Sequence, residues 1–174
     1  AMTADAGLVN TGLIASRQAS DSLAVADLPG VSLTSSLGAV QAGTIDSGGR
    51  LLVSGNGVRL DGPITGGLGP SNGGDVQVLG NAGSISVEVP LTVPGAAGSF
   101  SAVTDKAFHL AGFGDGRGIS ANSITIDAGG IALAGSLSAG LLDPGHAGTG
   151  AIRLTATGAL GDAGDVDDQR DDTV

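Results

Sequence analysis

Leu51-Leu-Val-Ser-Gly-Asn-Gly-Val-Arg-Leu-Asp-Gly-Pro-Ile-Thr-Gly-Gly67 lies without a gap over Ile124-Thr-Ile-Asp-Ala-Gly-Gly-Ile-Ala-Leu-Ala-Gly-Ser-Leu-Ser-Ala-Gly140, at a constant offset of 73 residues. Aliphatic residues pair at Leu51/Ile124, Val53/Ile126, Val58/Ile131, Leu60/Leu133 and Ile64/Leu137, and glycines at Gly57/Gly130, Gly62/Gly135 and Gly67/Gly140. Downstream, Gly74-Asp-Val-Gln-Val78 matches Gly150-Ala-Ile-Arg-Leu154 after a three-residue insertion; upstream, Ile45 and Ile119 correspond after a shift of one. A fixed period with insertions confined to short places is the mark of a repeat architecture.

Inside each copy is a smaller phrase, apolar-x-apolar, turn residues, then apolar-x-apolar again. Alternation of this kind is the period of a half-buried strand. The same phrase occurs at Val31-Ser-Leu33, Val76-Gln-Val78, Ile85-Ser-Val87-Glu-Val89 and Ile152-Arg-Leu154. Between these runs stand Ser47-Gly-Gly49, Gly55-Asn-Gly57, Asn72-Gly-Gly74, Gly80-Asn-Ala-Gly83 and Ala128-Gly-Gly130. Gly and Asn are expected there to supply positive φ at tight corners. Strands this short cannot hold an ordinary sandwich core, but they can stack in parallel on the next turn of a coil, about 4.8 Å away.

The pattern predicts an all-β chain, a right-handed parallel β-helix (β-solenoid) of about eight short-stranded rungs. That count assumes ~20 residues per rung, and gives a rod roughly 40 Å long at the strand spacing. A β-sandwich is the alternative, disfavoured because three Phe and no Trp or Tyr are thin for a sandwich core. Helix is excluded as the main element by the glycine content, since each interior Gly costs ~1 kcal/mol relative to Ala. One stretch, Ile14 to Leu28, lacks Gly and Pro and could hold a short helical turn before Pro29-Gly30.

Composition agrees with architecture rather than chemistry. The 174 residues include 33 Gly, no Cys and only 14% charged residues, yet the net charge is −10. Mean hydropathy is +0.31, too apolar for a chain disordered for want of core residues. Few bases and almost no stacking side chains exclude a nucleic-acid partner. Glycine off a three-residue period excludes collagen. Ala1-Met2-Thr3 opens no cationic-then-apolar leader, and the chain reads as a piece cut from something longer. Gly161 to Val174 carries six Asp and one Arg, half the net charge. Residues 1–161 are therefore expected to form the shaft and 162–174 an acidic tail or linker. Asp162, Asp165 and Asp167 faintly suggest a calcium loop, but Asp167-Asp168-Gln169-Arg170 breaks the ligand spacing and no Glu follows.

Ala6-Gly-Leu-Val-Asn-Thr-Gly-Leu-Ile-Ala15 resembles the L-x-N-x-G-x-I-x-A phrase of filamentous-haemagglutinin-type exoproteins. Ser123 to Gly140 is similar to their strand-Gly-Gly-strand repeats. The resemblance implies a β-helical region of a large adhesin exported by two-partner secretion to the outer-membrane cell surface of a Gram-negative bacterium. Its implied partners are an outer-membrane transporter during export, neighbouring β-helix modules, and a host or bacterial surface receptor or glycan. The N-P-N-G-I-type motif of the family's secretion domain is absent, so the resemblance points to the shaft or a terminal module.

Candidate chemistry is sparse. His109 and His146 lie far apart without an acidic helix to complete a zinc site. No G-x-S-x-G elbow occurs. Gly112-Phe-Gly-Asp-Gly-Arg-Gly118 imitates a phosphate loop but no long helix follows. A Thr-x-Thr ladder of an ice binder appears only at Thr155-Ala-Thr157. One segment stands out: Phe100 to Arg117 holds all three Phe, the only Lys and one His. It is read either as an irregular stretch whose Phe residues cover the core, or as a contact loop formed by Lys106, Phe108, His109, Phe113 and Arg117. The expected function is a non-enzymatic structural and adhesive module without cofactors, metal or catalytic residues. The alternatives are a self-assembling extracellular filament or matrix subunit and a polysaccharide-active β-helix enzyme.

Overall fold

The computed structural model describes residues 1–16, 30–66, 74–93, 98–113, 118–140, 150–162 and 166–168. The described chain is all-β. Its strands fall into successive groups. The first holds β1 (Met2–Ala4), β2 (Leu8–Asn10) and β3 (Ile14–Ser16); the second β4 (Val31–Ser35), β5 (Val40–Ala42) and β6 (Ile45–Ser47). The third holds β7 (Leu51–Gly55), β8 (Val58–Leu60) and β9 (Ile64–Gly66); the fourth β10 (Asp75–Gly80), β11 (Ile85–Val87) and β12 (Leu91–Thr92). The fifth and sixth merge their first two strands, giving β13 (Ser99–Leu110) with β14 (Gly118–Ala121), then β15 (Ser123–Leu133) with β16 (Ser136–Ala139). The seventh is β17 (Ala151–Ala156), β18 (Leu160–Asp162) and β19 (Val166–Asp168).

Every described pair is parallel and joins corresponding strands of consecutive groups. The chain therefore visits a first, second and third column and returns to the first. The third column is the seven-stranded sheet from β3 to β19; the other two share a twelve-stranded sheet because β13 and β15 run through both. No antiparallel pair of a sandwich occurs among the described residues. Among the described residues there are seven groups against the expected eight, and the unit is mostly longer than 20 residues: Val31 stands beside Leu51, but Leu51 beside Val76 and Ile124 beside Ile152.

The 73-residue offset is three such units. Leu51 neighbours Val76, Val76 neighbours Phe100, and Phe100 neighbours Ile124. In the second column the path from Val58 to Ile131 passes through Ile85 and Phe108. In the third, Ile64 reaches Leu137 through Leu91 and Ile119. Residues paired by the repeat therefore occupy one column. Strand alternation sends every second residue inward, and the inward residues form one contiguous aliphatic cluster. Each buried Val, Leu or Ile contributes about 1.5–3 kcal/mol on removal from water.

The glycines act differently from the turn-residue expectation. Only Gly7 and Gly140 among the described residues have positive φ. What most corners need instead is room between units. A Cβ at Gly83 would run into the Asn56 carbonyl one unit earlier, and one at Gly38 into the Ala6 carbonyl. Ile14 to Ser16, expected in a helical turn, is strand β3, beside Ile45 to Ser47; residues 17–28 of that stretch lie outside the described residues. The boundary expected at residue 161 falls inside β18, and β19 lies in the stretch read as a tail, with Val166 in register with Leu137. Asp162 is in register with Leu133 and Asp167 with Ser138, so the two belong to different columns rather than one loop; Asp165 and residues 169–174 lie outside the described residues.

Candidate functional site

Lys106, Phe108 and His109 belong to β13, a continuous strand and not an irregular interruption. Its one irregularity is a bulge. Thr104 pairs with Ala128 and Ala107 with Gly130, so Asp105 and Lys106 together face Gly129. An extra residue of this kind bends a strand without ending it. It carries β13 around the corner that earlier units turn with separate strands. Inside the corner Thr104 is buried; its hydroxyl donates to the Gly83 carbonyl at 2.8 Å and accepts from the Lys106 N–H at 3.1 Å.

Of the five residues proposed as a contact loop, the four that are described do not share one surface. Phe108 is fully buried, in register between Ile85 and Ile131. An aromatic ring there fills a core column, which corrects its assignment to a surface loop. Phe100 does the same in the first column, between Val76 and Ile124. Phe113 is partly buried against the core. Lys106 and His109 are exposed; the Lys106 ammonium lies 3.2 Å from the Asp105 carboxylate on the bulge. Arg117 and His146 lie outside the described residues.

A second feature was missed by the sequence reading. Asn10, Thr11, Gln41, Thr44, Asp61 and Pro63 line a cleft of about 290 Å³ where the second column turns into the third. Asp61 organises it: its Oδ2 accepts from Gln41 Nε2 at 2.7 Å and lies 3.2 Å from Arg59 Nε. Asp61 Oδ1 is buried without a hydrogen-bond partner. The cleft presents amides, hydroxyls and a carboxylate, groups that bind hydroxyl-rich ligands by hydrogen bonds. The signal for it lay within the repeat, where Asp61 stands over Ala134.

The connections are unequal. Between the first and second columns they are no longer than residues 36–39 or 81–84; between the third and first they range from Asn122 alone to residues 17–30. The two shortest, residues 48–50 and Asn122, are three units apart, the period of the sequence repeat. In comparisons with protein-family models, curated proteins and solved structures, the chain matches none.

Proposed function

We propose that this chain is a right-handed parallel β-helix serving as a non-enzymatic, load-bearing module of a large secreted adhesin of the filamentous-haemagglutinin type, on the surface of a Gram-negative bacterium. The observation that carries the reading is the contrast between regular columns and one irregular corner. Three uninterrupted parallel columns with a common aliphatic interior make a stiff scaffold. The excess chain length collects where the third column returns to the first, and insertions on one side of a stacked repeat commonly form its binding side. A receptor or surface glycan is the partner this arrangement suits, with the Asp61 cleft as a polar contact on a neighbouring corner.

Two measurements test the reading. In a chain without native cysteine, Ser101→Cys with Thr125→Cys places thiols at registered positions on neighbouring units, close enough to bridge in a parallel pair. Rapid oxidation is expected, and failure to cross-link removes the coil. Shortening residues 67–73 and 141–149 to the length of residues 48–50 is expected to keep the melting temperature and abolish adhesion to glycan arrays or host cells. Adhesion unchanged by both deletions overturns the presentation role, and release of unsaturated or reducing ends from acidic polysaccharides would make the chain an enzyme instead.

A further inference from the structure

Asp61, Glu88, Ala111 and Ala134 stand at one corner position in successive units, where the second column turns into the third. Their N–H groups donate to the Ala42, Leu60, Val87 and Leu110 carbonyls, in each case one unit earlier. Alanine therefore meets what the coil asks of this position. Asp61 is the worse choice for folding: its Oδ1 is buried without a donor, and an unsatisfied buried acceptor costs stability. A local choice that works against the fold is expected at functional positions. We infer that the cleft around Asp61 is a subsite for one unit of an uncharged glycan, a hexose whose hydroxyls bond to the Asp61 carboxylate, the Gln41 amide and the Thr44 hydroxyl. The inference rests on the glycan partner of the adhesive reading and names its chemistry.

Charge balance selects the ligand class. The Asp61 carboxylate is held by Gln41 Nε2 at 2.7 Å and Arg59 Nε at 3.2 Å, and its side chain keeps 26% exposure, within reach of a ligand. Arg59 offsets its charge, and the other side chains of the lining are amides, hydroxyls and a proline ring. An acidic sugar would meet Asp61 and, one unit on, Glu88, against a single guanidinium. A calcium ion would need six or more oxygen ligands beside that guanidinium, and Glu88 Oε1 already accepts from the Ser86 hydroxyl. A neutral sugar meets no uncompensated charge, and its hydroxyls both donate and accept. The floor of the cleft is backbone on backbone: a Cβ at Gly62 would run into Thr44 N at 2.2 Å, and one at Gly43 into the Asn10 carbonyl at 2.9 Å. Gln41, Thr44 and Asp61 belong to the second and third units, whose strands are paired on both sides, so the walls are fixed before a ligand arrives. A volume of about 290 Å³ lies at the lower limit of ligand pockets and suits one ring. Without an aromatic wall to stack on, its affinity is expected in the millimolar range.

The test is a titration of the 174-residue chain, labelled with ¹⁵N, with neutral trisaccharides of glucose, galactose and mannose, with the trisaccharide of galacturonic acid, and with calcium chloride. At least one neutral sugar is expected to shift the Gln41 side-chain amide and the backbone signals of Thr44 and Asp61. The acidic trisaccharide should bind at least about tenfold more weakly, as a lost charge-compatible contact requires. Asp61→Ala installs the residue that the chain itself carries at positions 111 and 134; it should keep or raise the melting temperature and weaken sugar binding by about tenfold or more. Thr44→Val keeps the shape of the wall, removes one hydroxyl, and should weaken binding by about fivefold. Silence toward all three neutral sugars, equal binding by Asp61→Ala, equal binding of the acidic trisaccharide, or the same signals moved by calcium overturns the subsite. A silent cleft in a chain whose adhesion still depends on residues 67–73 and 141–149 removes the subsite and leaves the adhesive reading. Sugar binding at Asp61 in a chain that adheres to no glycan array or cell does the reverse.

Discussion

The third and fifth units turn the same corner by different means. In the third, β7 ends, Asn56 and Gly57 make the turn, and β8 begins; the Asn56 side-chain amide donates to the Leu37 carbonyl one unit earlier at 2.7 Å. In the fifth, β13 never breaks. The buried Thr104 hydroxyl and the Asp105-Lys106 bulge take the place of the turn, and the glycine that makes room is on the following unit, at Gly129. The difference teaches that this architecture fixes where a corner stands, through the columns on either side, and leaves open how the backbone gets around it. Any device serves that satisfies the peptide groups and avoids the unit above and below.

The largest expected effect tests whether the bulged unit is held by its columns. Phe108 and Val58 occupy the same column, and both are buried. Phe108→Ala removes the larger volume between Ile85 and Ile131, at a cost of about 3–5 kcal/mol. Val58→Ala removes less and should cost roughly half as much. Urea unfolding of the two variants checks the order. A Phe108→Ala variant as stable as wild type would mean that the ring is not in the column, and would return the segment to its contact-loop reading.

Next in size is a test of the bulge itself, made on two adjacent glycines. Neither has positive φ, so alanine meets no intrinsic backbone penalty at either. At Gly129 a Cβ would press on the Asp105 carbonyl oxygen and, at 3.0 Å, on that of Lys106; at Gly130 the nearest atom is the Ala159 carbonyl oxygen at 3.4 Å. Gly129→Ala should therefore destabilise by about 1–3 kcal/mol, as overpacking against fixed backbone does. Gly130→Ala should be neutral or stabilise by up to about 1 kcal/mol through the unfolded chain. Thermal melts of the pair decide it. Equal effects at the two positions would show that the Asp105-Lys106 bulge is not the reason for glycine at 129.

These positions also show what was legible in the sequence. The columns were, because inward positions alternate and are mostly aliphatic or aromatic; Leu51/Ile124 and Val58/Ile131 align in sequence because they share columns. The three-unit period was visible as the offset, but its division into three was not, since Phe100 and Phe108 interrupt the aliphatic pattern with aromatics that read as surface or plug. Ala128-Gly-Gly130 reads as a turn by composition and is strand, and Gly129 answers a crowding that comes from the neighbouring unit and leaves no mark within ten residues of it. Of the Asp61 cleft only one mark was legible, the carboxylate that stands over Ala134 in the repeat; its lining comes from three units and is assembled only by stacking.

The smallest expected effect concerns the residues that made the fifth unit conspicuous in the first place. Lys106 is the only lysine of the chain, and its ammonium lies 3.2 Å from the Asp105 carboxylate, the two side chains being 54% and 66% exposed. An ion pair so open to water is screened by salt and contributes little. What holds the bulge is a pair of side chain-to-backbone hydrogen bonds: the Lys106 N–H donating to Thr104 Oγ1, and the Thr104 hydroxyl donating to the Gly83 carbonyl. Lys106→Ala keeps that N–H and should change the unfolding midpoint by less than about 0.5 kcal/mol in free energy. Thr104→Val removes the acceptor and the donor together at a buried corner and should cost about 1–3 kcal/mol. If the ranking came out reversed in denaturant titrations, the charge pair rather than the hydroxyl would be what keeps β13 continuous, and the corner would owe its form to surface electrostatics instead of to the satisfaction of its peptide groups.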